Sequence, residues 1–168
     1  MGKGRGQKRT FLVFKPVAKA KHIRFEKDML FTKPKQFKEV ITDYVVHGGW
    51  GIRFVKNDLQ RVRAFCKENC KFVAYLTKLP REKSYQLRTL NLEHTCSKSY
   101  KNPMCTFSYI GKKLIKKVRK QPNMKLKDIQ DVVHEKFTLN ITTGKVSRTR
   151  EKAREYVDGA HTRQYNQL

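Results

Sequence analysis

Two short pairs of metal-binding side chains constrain this sequence most: Cys66-x3-Cys70, then twenty-three residues, then His94-x-Cys96. Zinc accepts thiolate and imidazole together in a tetrahedron, and a structural site is closed by four protein ligands. Each pair can hold the metal from one loop, and the spacer is long enough to return the chain through a hairpin. The spacing therefore predicts one structural Zn2+ on Cys66, Cys70, His94 and Cys96. Two disulfides would use four cysteines as well, but such a framework belongs to secreted chains. Nothing at the start reads as a signal peptide: after the basic leader only Phe11-Leu12-Val13-Phe14 is apolar, too short for an h-region. Treating the cysteines as unrelated core thiols leaves the paired spacing without a cause. Cys105, nine residues past Cys96, reads as a free thiol outside the set.

Charge narrows the partner. Lys and Arg number 39 against 14 Asp and Glu, a formal charge of +25 over 168 residues. That excess repels itself in a compact fold, so a polyanion is expected. No apolar run has the length of a membrane-spanning helix, and the periodic segments bury ordinary cores rather than display a broad apolar face. Nucleic acid is the better reading than a membrane surface. The length fits one domain or two small ones. A structural zinc contributes about 10–16 kcal/mol of apparent folding free energy, against the few kcal/mol that a small core supplies. The first domain is expected to fold around its metal.

Residues 1–27 read as a basic flexible tail, with Lys3, Arg5, Lys8 and Arg9 among glycines and Lys15, Lys19, Lys21 and Arg24 following. Such a segment can lie along phosphates or serve as a nuclear address. Phe11 to Phe14 and Ile23 equally permit an added strand, and both readings stand. From Thr32 a helix is signalled, with Pro34 in its first turn and Gly48-Gly49 at its end. Phe37, Val40, Ile41, Tyr44 and Val45 form its apolar stripe, which would cover one face of a sheet. Four strands follow, around Trp50–Val55, Arg61–Cys66, Phe72–Lys78 and Tyr85–Leu90, alternating apolar and polar residues between turn signals. That pattern is an antiparallel meander, and the metal would tie the end of the second strand to the end of the fourth.

The helix, a strand, the run "RVRAFCKENC", a third strand and then "YQLRTLNLEHTC" resemble the N-terminal DNA-binding domain of plant Mutator-like element transposases, in the WRKY-type CCHC zinc-finger group. The similarity spans about residues 28–96, within a zinc-finger domain expected over residues 28–98. It implies a zinc-tethered four-stranded antiparallel sheet, α+β in class, that binds double-stranded DNA in the nucleus. The ending on Cys96 matches the CCHC branch rather than the H-x-H ending of WRKY transcription factors. The Trp-Arg-Lys-Tyr-Gly-Gln-Lys motif of those factors is absent, so their target sequence does not carry over. Lys71-Phe72 stands where Pro-Trp often follows the second cysteine.

Residues 97–106 read as a polar linker, after which the period becomes helical. Phe107, Ile110, Leu114 and Val118 share one face, and Leu126, Ile129, Val133 and Phe137 another. Val146, Ala153 and Val157 mark a third helix bearing Lys145, Arg148, Arg150, Lys152 and Arg154. Residues 107–158 thus form a three-helix, helix-turn-helix-like basic bundle, with 159–168 a polar tail. The run "IGKKLIKKVRKQPNMKLKDIQDVVHEKF" resembles the segment after the zinc domain in the same transposases. A recognition helix would offer Lys145, Ser147, Arg148 and Arg150 to base edges.

Phosphates supply most affinity for a duplex and base edges supply specificity. The edge strand carrying Arg53, Lys56 and Asn57 occupies the position of groove entry in the resembling fold, and Arg61 and Arg63 project from its neighbour. Arg can fork onto guanine and Asn can pair with adenine, so Arg53 and Asn57 are the expected base readers. Transposition needs a carboxylate triad on a further domain, and no such pattern occurs. The expectation is a non-enzymatic DNA-binding module without a small-molecule substrate, either the recognition part of a transposase or a regulator derived from one. The rival is an RNA-binding or ribosome-associated basic protein, in which Phe65 and Tyr75 would stack on unpaired bases.

Overall fold

The structure is a computed structural model that describes residues 11–16, 23–67, 69–99 and 101–165, with side chains as far as Gly159. The chain forms two compact units: Met1–Tyr44 with Ile52–Cys96, and Val45–Gly51 with Ser97–Leu168. The architecture is α+β.

The first unit is built on an antiparallel sheet of β1 (Leu30–Phe31), β2 (Arg53–Asn57), β3 (Arg61–Phe65), β4 (Val73–Lys78) and β5 (Tyr85–Asn91), in spatial order β1-β5-β4-β3-β2. The meander β2 to β5 is the four-stranded core that alternation predicts. A fifth strand, β1, joins the far side of β5 through Leu30 opposite Gln86 and Phe31 opposite Tyr85. Two residues are too few to show a period of two. Val62, Ala64, Ala74, Leu76 and Leu87 are fully buried and form the inner face. Helix α1 (Pro34–Gly48) adds Phe37, Val40 and Ile41 to this core. Phe37 meets Phe31 edge-on at 5.4 Å between ring centroids, and Tyr44 stacks on Phe72 at 6.5 Å.

The expectation of a flexible tail over residues 1–27 is corrected where the chain is described. Leu30 N–H donates to the Leu12 carbonyl and Phe14 N–H to the Leu30 carbonyl, each at 2.8 Å, making a parallel bridge between Val13 and Leu30. Phe14 is buried and stacks on Phe31 at 5.0 Å, while Phe25 is buried edge-on to Tyr44. Two aromatic anchors outweigh the lysines around them, because burying a Phe yields about 1.5–3 kcal/mol. Lys3, Arg5, Lys8, Arg9, Lys19 and Lys21 lie outside the described residues.

The second unit packs α2 (Phe107–Lys120), α3 (Leu126–Phe137) and α4 (Thr143–Tyr165) around Ile110, Leu114, Val118, Ile129, Val133 and Val146. Thr106 caps α2 by accepting from the Tyr109 N–H at 3.1 Å, and Asp128 accepts from the Lys125 N–H at the start of α3. Gly111 lets α2 lie close against α4: a Cβ there would stand 3.2 Å from the Ala153 nitrogen and 3.3 Å from the Thr149 carbonyl oxygen. The segment expected as a polar linker belongs to this unit. Cys105 is fully buried in its core, and buried Asn102 donates its side-chain amide to the Trp50 carbonyl at 2.6 Å. Trp50 therefore is not strand residue but part of this second core's border, its ring lying against Gly48 and beneath Lys98. The polar tail expected from residue 159 is instead helix as far as Tyr165, since the stretch contains no proline to stop it.

Candidate metal centre and basic surface

Cys66 leaves the end of β3, and a tight turn brings back Cys70, whose N–H donates to the Lys67 carbonyl at 3.2 Å. Asn69 closes that turn with φ of 63°, a left-handed conformation that Asn tolerates better than most residues. His94 and Cys96 follow the end of β5. Thr95 fastens the two loops: its hydroxyl donates to the Asn69 carbonyl at 3.1 Å and accepts from the Lys71 N–H at 3.4 Å. Lys71 and Glu93 add an exposed ion pair at 2.9 Å.

The four ligand atoms lie within 4.8 Å of one another, the one such Cys/His cluster among the described residues. Cys66 Sγ is 3.5 Å and Cys70 Sγ 3.6 Å from Cys96 Sγ; His94 Nδ1 is 3.6 Å from Cys70 Sγ and 3.8 Å from Cys96 Sγ. A zinc tetrahedron has S···S edges of about 3.8 Å and S···N edges of about 3.5 Å, given its ordinary bond lengths. Those four edges already have about these lengths. A disulfide would need sulfurs at about 2.05 Å, and all four cysteines are free. Three thiols and an imidazole select zinc over oxygen-seeking Mg2+ or Ca2+. The quartet is thus a site for one structural zinc ion.

The surroundings act differently on each donor. Burial pushes the Cys66 thiol up to about 12. Burial acts in the same sense on Cys70, but backbone N–H groups of Phe72 and Thr95, with the Cys96 and Cys66 thiols, bring it down to about 7. Burial also lowers His94 to about 4, which keeps its imidazole neutral and able to coordinate. Phe72 stacks on that ring at 4.4 Å and holds its orientation. Cys105 stands apart in the second core, where burial raises its thiol to about 11. Spacing alone picks out the ligands. It does not pick out Thr95, Asn69 or Phe72, although Asn before the second cysteine is a turn signal.

On the first unit's surface Arg53 is exposed at the start of β2, its guanidinium 5.8 Å from the centre of the Phe65 ring. Lys56, Arg61 and Arg63 are exposed on β2 and β3. Arg61 is held by Asp58, Nε to Oδ2 at 3.0 Å, and this hydrogen bond raises its pKa. Asn57 sits opposite buried Val62, and its side-chain oxygen accepts from Lys38 of α1 at 3.1 Å, leaving its amide hydrogens for another partner. Among the described residues Arg53, Lys56, Arg63 and exposed Arg88 make no ion pair.

In the second unit Lys145 and Arg148 line a hollow of about 400 Å3 at the start of α4 with Thr106, Phe107 and Thr142. Ser147 donates to Glu151 at 3.4 Å. Arg150 lies about 200° round the helix from Arg148, half-buried with its Nε enclosed. The structure therefore does not bring Arg150 to the hollow with Lys145 and Arg148.

No protein-family profile and no curated protein matches this chain. A solved structure, the crystal structure of AFT2 in complex with DNA, overlaps it with a TM-score of 0.39 and 15% identity, over 68% of this chain and 89% of that one. At that score the likeness carries no argument.

Proposed function

We propose that this chain is a zinc-dependent, sequence-specific double-stranded-DNA-binding module that acts in the nucleus and catalyses nothing itself. On the resemblance of its ligand spacing, it is the recognition part of a Mutator-like transposase or a regulator derived from one. The observation that carries the reading is the set of unpaired cations on the metal-tied sheet: Arg53, Lys56, Arg63 and Arg88 all face water without a carboxylate partner. A rigid sheet bearing such a set fits a phosphate backbone, whose neutralisation releases counterions and drives binding. Arg53 at the edge is the base reader in this reading, and Lys145 and Arg148 give the second unit its own cationic contact.

The test is selection of duplexes from a random pool by the zinc-loaded protein, followed by titration of the selected duplex, a scrambled duplex and single-stranded RNA. Tight, salt-sensitive binding of the selected duplex, lost on chelation, is expected. Equal affinity for the scrambled duplex removes sequence specificity, and preference for the RNA replaces this reading with the RNA-binding one.

A further inference from the structure

The outer face of the sheet contains a row in register, one residue from each of four strands. Lys56 of β2 faces Arg63 of β3, Arg63 faces Tyr75 of β4, and Tyr75 faces Thr89 of β5. With Val73 these four line a hollow of about 350 Å3. Both irregularities of the meander flank this row: one between Phe54 and Lys56, the other between Tyr75 and Leu76. In a regular strand Val55 would stand opposite Arg63. The bulge moves Lys56 there instead. Regular pairing would likewise set Arg88 opposite buried Leu76; the second irregularity puts Leu87 there and leaves Arg88 exposed. Bulges re-aim side chains and recur beside functional sites.

Lys56 opposite Arg63 is a like-charged cross-strand pair, an arrangement that destabilises a sheet. No carboxylate among the described residues lines the hollow to relieve it. Two cations and the hydroxyls of Tyr75 and Thr89 can all donate hydrogen bonds, and none is an obligate acceptor. An acceptor-only anion satisfies every one of these groups and separates the two positive charges.

We infer that Lys56, Arg63 and the hydroxyls of Tyr75 and Thr89 form a subsite for a single phosphodiester of bound duplex DNA. The inference rests on the DNA-binding reading above and assigns this face to the backbone, leaving base readout to Arg53. It has a consequence for the free protein: neutralising either cation removes a repulsion, so Lys56→Gln and Arg63→Gln each raise Tm while weakening binding.

The experiment compares zinc-loaded wild type, Lys56→Gln, Arg63→Gln and Tyr75→Phe in thermal melts and in titrations of selected and scrambled duplexes from low to high salt. The slope of log affinity against log salt becomes shallower in each lysine or arginine variant, by a part of the roughly 0.9 that belongs to the one phosphate the two cations share. The loss is equal on both duplexes. Scanning the selected duplex with single uncharged methylphosphonate linkages reveals one position that weakens wild type more than it weakens Arg63→Gln. An unchanged slope with no coupled linkage overturns the subsite. So does a loss confined to the selected duplex, which would make the row a base reader, or a lowered Tm in both glutamine variants. Wild type that binds no duplex removes both readings, whereas wild-type binding indifferent to Arg63→Gln removes this one alone.

Discussion

The sulfur and imidazole donors act through distances of a few ångströms, and their reactivity follows from that packing. Zinc withholds three thiolates from alkylation, while Cys105 is withheld by burial and by a pKa raised to about 11. Thiol titration of the native, metal-loaded protein is therefore expected to find all four slow. Chelation releases the metal-tied loops, so Cys66, Cys70 and Cys96 react quickly, and the fourth, in the metal-free second core, reacts only in denaturant; four fast thiols on chelation would place Cys105 elsewhere. His94 sets the pH response. With the metal removed, an unfolded chain's imidazole takes up its proton near its ordinary 6.5, the folded one only at about 4. The unfolded state binds more protons in that window, so stability is full above pH 6.5 and falls as the pH drops toward 4. Denaturant midpoints of the metal-free protein at pH 7.5 and 5 measure this, and a midpoint that rises on acidification contradicts it. Gly48 is a different kind of residue constraint, since a Cβ there would stand 2.0 Å from the Trp50 ring. Gly48→Ala should destabilise by about 1–3 kcal/mol through overpacking, read as a lower melting temperature. The ligands were legible in the sequence because paired spacing is a one-dimensional pattern. Thr95 was not, because its use depends on which loop the fold brings beside it.

At the scale of elements, periodicity located α1, α2, α3 and the meander β2 to β5, because each has one buried face and enough residues to repeat it. It could not show what interrupts a period. The bulges that turn Lys56 outward and free Arg88 come from register between strands, which no single strand records. Nor could it show that Gly111 lies against the backbone of the fully buried Thr149 and Ala153 where α2 meets α4, since a glycine contributes nothing to an apolar stripe. Replacing Gly111 tests that crossing. Gly111→Val places branched carbons against the α4 backbone and should cost about 1–3 kcal/mol or more, measured by chemical denaturation. A neutral result would mean that the helices separate without penalty.

For the molecule as a whole, net charge is the property that a sequence reveals completely, and its arrangement is what a sequence hides. The +25 charge predicts a polyanion as partner. Only the fold distinguishes Arg61, neutralised by Asp58, from Arg63, which has no such neighbour. Arg53→Ala should accordingly weaken a selected duplex more than a scrambled one, and Arg88→Ala should weaken both alike, as measured by anisotropy at several salt concentrations. Equal losses for Arg53→Ala remove its base-reading role. Among its described residues the second unit has an apolar core with no metal-binding cluster, so chelation should leave the helical circular dichroism of α2 to α4 largely intact while duplex selectivity disappears. The zinc ligands also enclose the β4–β5 hairpin between two fixed ends, with its turn closed by the Leu79 N–H donating to the Ser84 carbonyl at 2.9 Å. Because doubling a loop adds only about 0.6 kcal/mol of closure entropy, a short reporter peptide grafted between exposed Arg81 and Glu82 should be carried like a flag on a moored line, with the anchorage behind it unchanged.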